Sequence, residues 1–266
     1  MILLKQLLKE ITSGPKAIIM AGGASVGKST LLKSLGNSLQ NFEIINADKY
    51  VEDKTSQMYN NLSAASSQIK KKDLPDAINS KRNFVYDTTA GSLKTTLPLI
   101  EELKKNGYDI MMVMVYAHPI VSFIRNFKRE RKLPAAAVLN TWANVYSIMD
   151  EYKNIFGDKF VVVKMENSAD EQVEIEKFEK HRADGTLQEY LSRLISSQKL
   201  FSSFLKKDDT PKTPEEIEKK KKEREKTRQI FNQSIEKVSS MFEKIESFSE
   251  MKDVQTATNK IKQFAT

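Results

Sequence analysis

The sequence contains no cysteine, which excludes disulfide bridges, cysteine-ligated zinc and a cysteine nucleophile. Its two histidines, His118 and His181, have no metal-ligating or triad partner close to them in the sequence. An Asn-Lys-x-Asp motif, which would read guanine, is also missing, and this argues against a GTPase. The lack of cysteine fits a reducing compartment, so we expect a cytoplasmic protein.

No apolar run approaches the roughly 20 residues that a membrane-spanning helix requires, and we expect no membrane attachment. The first eleven residues carry apolar side chains at positions 2, 3, 4, 7, 8 and 11, which predicts an amphipathic helix. This stretch is too short and too interrupted for a secretion signal, so we expect the helix to dock on the domain. The formal net charge of +8 is compatible with a polyanionic partner such as nucleic acid.

A glycine-rich motif near the N-terminus carries the strongest functional signal. Residues 22–29 read Gly-Gly-Ala-Ser-Val-Gly-Lys-Ser and match the phosphate-binding pattern G-x-x-x-x-G-K-[ST], the P-loop. The apolar run over 17–21 predicts a buried strand before the motif, and residues 30–39 carry leucines at helical spacing after it. The residues that we expect to bind the nucleotide are Gly22, Gly23, Ala24, Ser25, Val26, Gly27, Lys28, Ser29 and Thr30.

The chemistry of such a loop follows from its residue types. Glycines let the backbone turn sharply, approach a phosphate closely and aim N–H groups inward. The helix that follows adds the positive end of its dipole. Lys28 supplies a charge for the outer phosphates, and Ser29 offers a hydroxyl to Mg²⁺. The alternative is a glycine-rich turn with a surface lysine, which the flanking strand and helix disfavour.

Strand and helix patterns alternate along the next part of the chain. Apolar runs at 42–46, 83–86, 109–116 and 160–163 predict four more strands, separated by helical patterns such as 93–105. This alternation predicts an α/β fold, with a five-stranded parallel sheet flanked by helices. Because ligands bind beyond the carboxyl ends of parallel strands, the side chains that follow these strands should share one crevice.

Two acidic residues follow predicted strands. Asp48 comes just after the second strand, where its carboxylate can take the proton of a substrate hydroxyl as a general base. The alternative for Asp48 is a helix N-cap. Asp87 comes at the end of the third strand and can order Mg²⁺ or its waters. For Asp87, a capped turn is the alternative.

A basic cluster follows the fourth predicted strand and consists of Arg125, Lys128, Arg129, Arg131 and Lys132. We predict a helix over 120–132, on which a spacing of three or four places the first three of these on one face. Arginines that close over the phosphates would stabilise the charge of the transferring group. We therefore expect Arg125 and Arg129 to act in catalysis together with Lys28 and Asp48. Arg131 is expected to bind the nucleotide. The alternative is a basic surface helix.

In their order along the chain, these motifs resemble the P-loop kinases of the zeta-toxin and phage polynucleotide-kinase group. The resemblance covers roughly residues 16 to 165, and it is carried by the P-loop, Asn46-x-Asp48-x-Tyr50, Asp87-Thr88 and Arg125-Asn126-x-Lys128-Arg129 followed by Leu133-Pro134. It implies a P-loop NTPase fold, ATP and Mg²⁺ bound through Lys28 and Ser29, and Asp48 as the catalytic base. It also implies that Arg125 and Arg129 belong to a lid.

Two positions depart from that resemblance. Val51 stands where polynucleotide kinases of this group have an arginine. Asp87-Thr88-Thr89 stands where zeta toxins usually have Glu-Gly-Thr. Both departures concern the phosphoryl acceptor, so its identity stays open.

We therefore predict an ATP-dependent kinase that transfers the γ-phosphoryl group to a hydroxyl. The acceptor would be a nucleic-acid end or a nucleotide sugar, with a small metabolite as an alternative. A function of another class also stays open, namely a non-catalytic ATP-binding switch or assembly protein whose helical tail binds a partner.

The chain divides into four predicted parts, which are an N-terminal helix over 1–15, a P-loop kinase domain over 16–167, a helical extension over 168–206 and a charged linker with an amphipathic helix over 207–266. In the last part, apolar residues recur at 231, 235, 238, 242, 245 and 248. This stripe is long enough to dock on the domain or to pair with another helix. A protein partner would accordingly bind through the C-terminal helices.

Overall fold

A parallel six-stranded sheet forms the centre of the computed structural model, which describes residues 14–197, 213–248 and 250–266. The strands are β1 (Lys16–Ala21), β2 (Glu43–Asn46), β3 (Phe84–Asp87), β4 (Asp109–Tyr116), β5 (Phe160–Lys164) and β6 (Met251–Lys252). Their order across the sheet is β2-β3-β1-β4-β5-β6. This is a P-loop NTPase fold, and the predicted α/β class is confirmed. The helix predicted over 1–11 lies outside the described residues.

Helices cover both faces of the sheet. The first six are α1 (Lys28–Leu35), α2 (Asp48–Val51), α3 (Leu62–Gln68), α4 (Leu74–Asn79), α5 (Leu93–Lys105) and α6 (Pro119–Lys128). The remaining ones are α7 (Ala135–Tyr146), α8 (Met149–Phe156), α9 (Ala169–Ala183), α10 (Leu187–Ser197), α11 (Pro214–Glu246) and α12 (Val254–Ala265). A π-helical segment, Ile69–Asp73, joins α3 to α4. No helix within the described residues has the length and apolar character that crossing a bilayer demands.

Strand β4 explains why the interior of the sheet is so apolar. Every residue from Ile110 to Tyr116 is buried. An unbroken apolar run is what a strand covered on both faces requires, because neither side of its pleat meets water. The bounds predicted for this strand and for α5 agree with the structure to the residue.

The prediction of five strands was wrong by one, because β6 joins the sheet from the far end of the chain. Met251 lies opposite Val162, and Lys252 lies opposite Val163, in a parallel register with β5. The helix α12 then packs on α1 and β5, with Ala257 and Ile261 fully buried. The C-terminal residues 250–266, which we call the C-terminal segment, therefore share the main hydrophobic core.

The apolar stripe of the long helix α11 packs within the chain itself. Five of its predicted positions are buried, namely Phe231, Ile235, Val238, Phe242 and Ile245. They lie along the helix that packs against α7. Of the two alternatives for this stripe, the structure shows docking on the domain. Ile217, in the first half of α11, is instead 54% exposed.

Replacement of Ile261 tests whether the C-terminal segment contributes to the core. Ile261→Ala removes a fully buried side chain between α12 and the sheet. We expect a loss of about 2–4 kcal/mol in the free energy of unfolding, measured with urea. The matched control Ile217→Ala, at an exposed site, should change it by less than about 0.5 kcal/mol. Equal effects of the two variants would contradict this role for the C-terminal segment.

Candidate active site

A cleft of about 830 Å³ opens at the carboxyl edge of the sheet. Its lining includes most of the predicted site residues, namely Ala24, Ser25, Val26, Gly27, Lys28, Ser29, Thr30, Asp48, Asp87, Arg125, Arg129 and Arg131. Gly22 and Gly23 lie just behind this lining, at the end of β1. Residues that are far apart in the sequence are thus brought together, because parallel strands end at the same edge.

The loop over residues 22–29 has the tight backbone that its glycines predicted. Gly27 has φ +106° and caps α1, a conformation that side-chain-bearing residues rarely adopt. A Cβ on Gly22 would lie 2.9 Å from the carbonyl oxygen of Val115, too close for any other residue. Behind the loop, a Cβ on Gly23 would lie 3.2 Å from the Cα of Trp142 in α7. Neighbouring backbone therefore holds this loop in place.

The side chain of Lys28 folds back into the loop. Its Nζ donates hydrogen bonds to the carbonyl oxygens of Gly22, at 3.0 Å, and Gly23, at 3.2 Å. The same atom lies 3.9 Å from Oδ1 of Asp87. Burial lowers the pKa of Lys28, and the nearby charges of Asp87 and Asp48 oppose this shift. A concentrated positive charge therefore lies inside the loop.

A chain of polar contacts joins the ends of β2 and β3. Asn46 Nδ2 donates to Asp87 Oδ2 at 3.0 Å, and Asn46 Oδ1 accepts from the backbone N–H of Asp48 at 2.5 Å. Burial raises the pKa of Asp87, an effect that the charge of Lys28 opposes. Asn46 thus holds the carboxylate of Asp87 and the backbone at Asp48 together.

The carboxylate of Asp48 pairs with two arginines. Arg131 Nη2 donates to Asp48 Oδ1 at 2.7 Å, and Arg129 Nη2 lies 3.8 Å from Asp48 Oδ2. Arg129 also reaches the P-loop, because its Nη1 lies 3.5 Å from Ser25 Oγ. The side chain of Asp48 makes no N-cap hydrogen bond, since Ala47 is the N-cap of α2. The alternative of a helix cap is therefore excluded for Asp48.

The helix predicted over 120–132 was wrong at its end. The helix α6 stops at Lys128, and Arg129 has the extended dihedrals φ −77° and ψ 150°. The fully buried Asn126 explains this end, because its side chain donates to the carbonyl of Leu133 and accepts from the N–H of Leu133, both at 2.9 Å. These two bonds close residues 129–133 into what we call the arginine loop. Arg129 therefore reaches Asp48 from a loop, not from a helical face.

Arg125 remains on α6 and is held by Glu171 of α9. Its Nε donates to Oε1 at 2.8 Å, and its Nη2 donates to Oε2 at 2.9 Å. Nη2 also donates to the carbonyl of Glu166, which follows β5. Such a two-bond fork fixes the guanidinium rigidly. Arg125 thus lies in the cleft wall beside Gly27 and is separate from the group around Asp48.

Glu171 has two structural tasks. Besides pairing with Arg125, its carboxylate accepts from the backbone N–H of Ser168, and Ser168 Oγ accepts from the N–H of Glu171, which is a capping box. Burial by itself raises the pKa of Glu171, but the hydrogen bonds from Arg125 and Ser168 outweigh it, so the pKa is lowered. The charged carboxylate is therefore the form that the fold favours.

Sequence reasoning assigned no role to Asn46, Asn126 or Glu171, although all three position the site. Asn46 and Asn126 belong to the motifs that carried the family resemblance. Their position within those motifs could have indicated that they have a role in the site. No local pattern in the sequence indicated a role for Glu171, because its partner Arg125 lies 46 residues away.

The donor chemistry of the cleft fits a magnesium ion bound together with phosphates. The Ser29 hydroxyl and the Asp87 carboxylate both line the cleft. Mg²⁺ is usually bound through one or two carboxylates, with substrate phosphates supplying other ligands. Within the described ranges, no cluster of three or more histidine, cysteine or acidic residues is placed to hold a metal ion.

Comparison with known protein families places this chain. The profile of the zeta toxin family matches residues 4–177, well over half of the sequence. The chain belongs to the zeta toxin family. The predicted resemblance is thereby confirmed, and membership supports an ATP-dependent kinase in general. The search of curated proteins found no match.

Several solved structures of low sequence identity are similar to this chain. The PezAT toxin–antitoxin system of Streptococcus pneumoniae is 14% identical, with 61% of this chain and 75% of that chain covered and a TM-score of 0.44. The Pnkp1/Rnl/Hen1 RNA repair complex is 17% identical, with 52% and 46% covered and a TM-score of 0.45. The AvrRxo1-ORF1:-ORF2 complex with ATP is 13% identical, with 60% and 57% covered and a TM-score of 0.50. In the last two, the match spans about half of the other chain.

The Arg125–Glu171 pair predicts a pH-dependent contribution to stability. Because the folded state lowers the pKa of Glu171, the pair stabilises the fold above the ordinary value of 4.5 and loses its effect as pH falls through the lowered pKa. At neutral pH, we expect Glu171→Gln to lower the free energy of unfolding by about 2 kcal/mol. Urea unfolding at several pH values measures this difference, which should shrink in acid.

The matched control for this experiment is Glu176→Gln, at an exposed position of the same helix. It should leave the free energy of unfolding nearly unchanged at every pH. A Glu171→Gln difference that is as large in acid as at neutral pH would contradict the ion-pair account.

Proposed function

We propose that this protein is an ATP-dependent kinase that moves the γ-phosphoryl group of ATP to a hydroxyl of a nucleic-acid end or a nucleotide sugar. The observation that carries the proposal is the meeting of three groups in one cleft, namely the P-loop, the Asp48 carboxylate and the arginine loop. Family membership supports it. The AvrRxo1 complex, with a TM-score of 0.50, was solved with ATP.

The P-loop is the element that would hold the triphosphate. Its backbone N–H groups and the start of α1 offer hydrogen bonds and a favourable dipole to the phosphates. The ammonium of Lys28, now bound to the carbonyls of Gly22 and Gly23, is within reach of the outer phosphates. Ser29 and Asp87 would hold Mg²⁺, which would neutralise charge on the phosphates when bound.

Asp48 is suited to accept the proton of the attacking hydroxyl. Oδ1 is held by Arg131, whereas Oδ2 lies 3.8 Å from Arg129, beyond hydrogen-bonding distance. One carboxylate oxygen is thus fixed and the other can accept. In the transfer, a bond forms between the acceptor oxygen and the γ-phosphorus, the bond from that phosphorus to the bridging oxygen breaks, and the proton passes to Asp48.

The arginine loop would stabilise the transferring group. Arg129 lies between Ser25 of the P-loop and Asp48, where the γ-phosphoryl group must pass. Its guanidinium can therefore bind the equatorial oxygens as their charge develops. Arg131 orients the carboxylate of Asp48, and Arg125 supports the loop after β5 through Glu166.

The acceptor side of the cleft has a mixed surface. Besides Asp48, the lining of the cleft includes Leu62, Ser66, Ile69 and Tyr86. An apolar wall with one aromatic ring suits a sugar or a nucleobase more than a small charged metabolite. This supports a nucleic-acid or nucleotide-sugar acceptor over the small-metabolite alternative.

The proposal includes a protein partner, but the surface that could bind it is smaller than the sequence suggested. The apolar stripe of α11 is buried against α7, so a partner would meet other surfaces of the C-terminal helices. The first half of α11 is largely exposed and rich in both signs of charge. A charged surface of this kind suits a partner of complementary charge.

Replacement of Asp48 separates a kinase from a nucleotide-binding switch. Asp48→Asn keeps the size of the side chain but cannot take the proton. We expect the rate of transfer from γ-labelled ATP to fall by about 10²- to 10⁴-fold, with ATP affinity changed little. The assay offers 5′-hydroxyl oligonucleotides, nucleosides and UDP-sugars as acceptors, and calorimetry measures ATP binding.

The matched control is Asp158→Asn, at an exposed carboxylate before β5 and at the opposite edge of the sheet. It should transfer phosphate at the rate of the unmodified chain. An unchanged rate in Asp48→Asn would remove Asp48 from the mechanism. ATP binding without transfer to any acceptor, in the unmodified chain, would favour the switch.

A further inference from the structure

The cleft has a second wall that the proposed mechanism does not use. Val254, the first residue of α12, lines the cleft together with Met165, which follows β5. Val254 lies in the C-terminal segment, beyond the region 4–177 that the zeta toxin family matches. We propose that the C-terminal segment forms the nucleoside-binding wall of this protein, with Val254 and Met165 contacting the nucleobase of ATP. This inference rests on the proposed function, because it takes ATP as the ligand.

The strand order fixes the direction in which the nucleotide must lie. Across the sheet, Asp48 follows β2, Asp87 ends β3, the P-loop follows β1, Met165 follows β5 and Val254 follows β6. The γ-phosphate must face Asp48 for transfer to occur. The nucleoside at the other end of the triphosphate must then extend toward β5 and β6. From β1 to β6 there are three strand spacings, about 14 Å.

The chemistry of the two sides agrees with this direction. On the β2 side, the cleft presents Asp48, Arg129 and Arg131, which suit phosphates and a hydroxyl. On the β6 side, it presents the half-buried apolar side chains of Met165 and Val254, with Arg125 and Glu166 also in the lining. A neutral aromatic nucleobase gains from apolar contact, whereas a phosphate would lose its hydration there.

Arg125 adds a planar cation to this wall. A Cβ on Gly27 would lie 3.2 Å from Met165 Cε and 3.7 Å from Arg125 Nη1, so both side chains lie beside the P-loop. The fork to Glu171 fixes the guanidinium plane. A fixed guanidinium can stack on an aromatic ring. Arg125 is thereby assigned to the nucleoside side and not to the transferring phosphate.

The C-terminal segment holds Val254 rigidly. The pairing of β6 with β5 fixes the position of the chain just before Val254. Asp253 caps α12 by accepting a hydrogen bond from the N–H of Thr256 at 2.8 Å. Ala257 and Ile261 are fully buried in the core, and α12 packs on α1. The helix that begins at the P-loop and the helix that begins at Val254 therefore contact each other. A preorganised wall costs little entropy when a ligand binds.

Ligands with and without a nucleoside test this wall directly. The variant Val254→Asn replaces an apolar side chain with a polar one at the first position of α12. We expect it to weaken ATP binding by about tenfold, as for lost apolar contact in a binding pocket. Binding of inorganic tripolyphosphate should stay within about twofold, because the P-loop is untouched. Met165→Gln should behave in the same way. Calorimetry measures both ligands on each variant.

The matched control is Val173→Asn, at a valine that is 49% exposed on α9. It should bind both ligands as the unmodified chain does. Unchanged ATP binding in Val254→Asn would overturn the inference, and so would an equal loss for ATP and tripolyphosphate. A rise in the KM of the acceptor with unchanged ATP affinity would overturn it too, since it would place the acceptor on this side.

Hydrogen exchange on the unmodified chain provides a test that requires no substitution. ATP should protect the backbone amides at the start of α12 more than tripolyphosphate does, and equal protection would overturn the inference. These measurements read binding and not transfer. A chain that binds ATP through Val254 but phosphorylates no acceptor would refute the proposed function and leave this inference standing.

Discussion

The ammonium of Lys28, on a side chain that is only 15% exposed, is the feature on which the rest of the site depends. It lies between two backbone carbonyls of the P-loop and the carboxylate of Asp87. A charge in such a place interacts strongly with its neighbours, because little water screens it. The glycines allow the loop to enclose it, and the ends of β1 and β3 fix its distance from the acidic residues. The P-loop and Asp87 are thus held together around one ammonium group.

Some parts of this fold could be predicted because their signals are local. The strand β4 is an unbroken apolar run, and α5 has helical spacing with a glycine just beyond its end, so both agree with prediction to the residue. The P-loop combines a strict motif with a strand before it and a helix after it. Its location and conformation were therefore predictable from the sequence.

Other parts depend on contacts between distant residues. The strand β6 has two residues and forms only because β5 offers a free edge, so no local pattern marks it. The end of α6 is set by Asn126 and Leu133, and helical periodicity alone extended that helix too far. The fork between Arg125 and Glu171 joins two helices that are far apart in the sequence. The contacts of Arg125, Arg129 and Arg131 thus emerged only from the fold.

The C-terminal segment lies beyond the part of the chain that matches the family. The family match ends at residue 177, yet residues 250–266 complete the sheet and reach the cleft. The core around the P-loop helix therefore includes residues 250–266 as well as the first strands. The C-terminal segment and the P-loop are connected through α12 and α1, which pack on each other.

A crystal structure with a non-hydrolysable ATP analogue would test the account most directly. We expect the triphosphate over residues 22–29, with the Lys28 Nζ moved from the carbonyls of Gly22 and Gly23 to phosphate oxygens. The terminal phosphate should point to Asp48. An analogue bound outside the cleft, or one whose terminal phosphate points away from Asp48, would contradict the account.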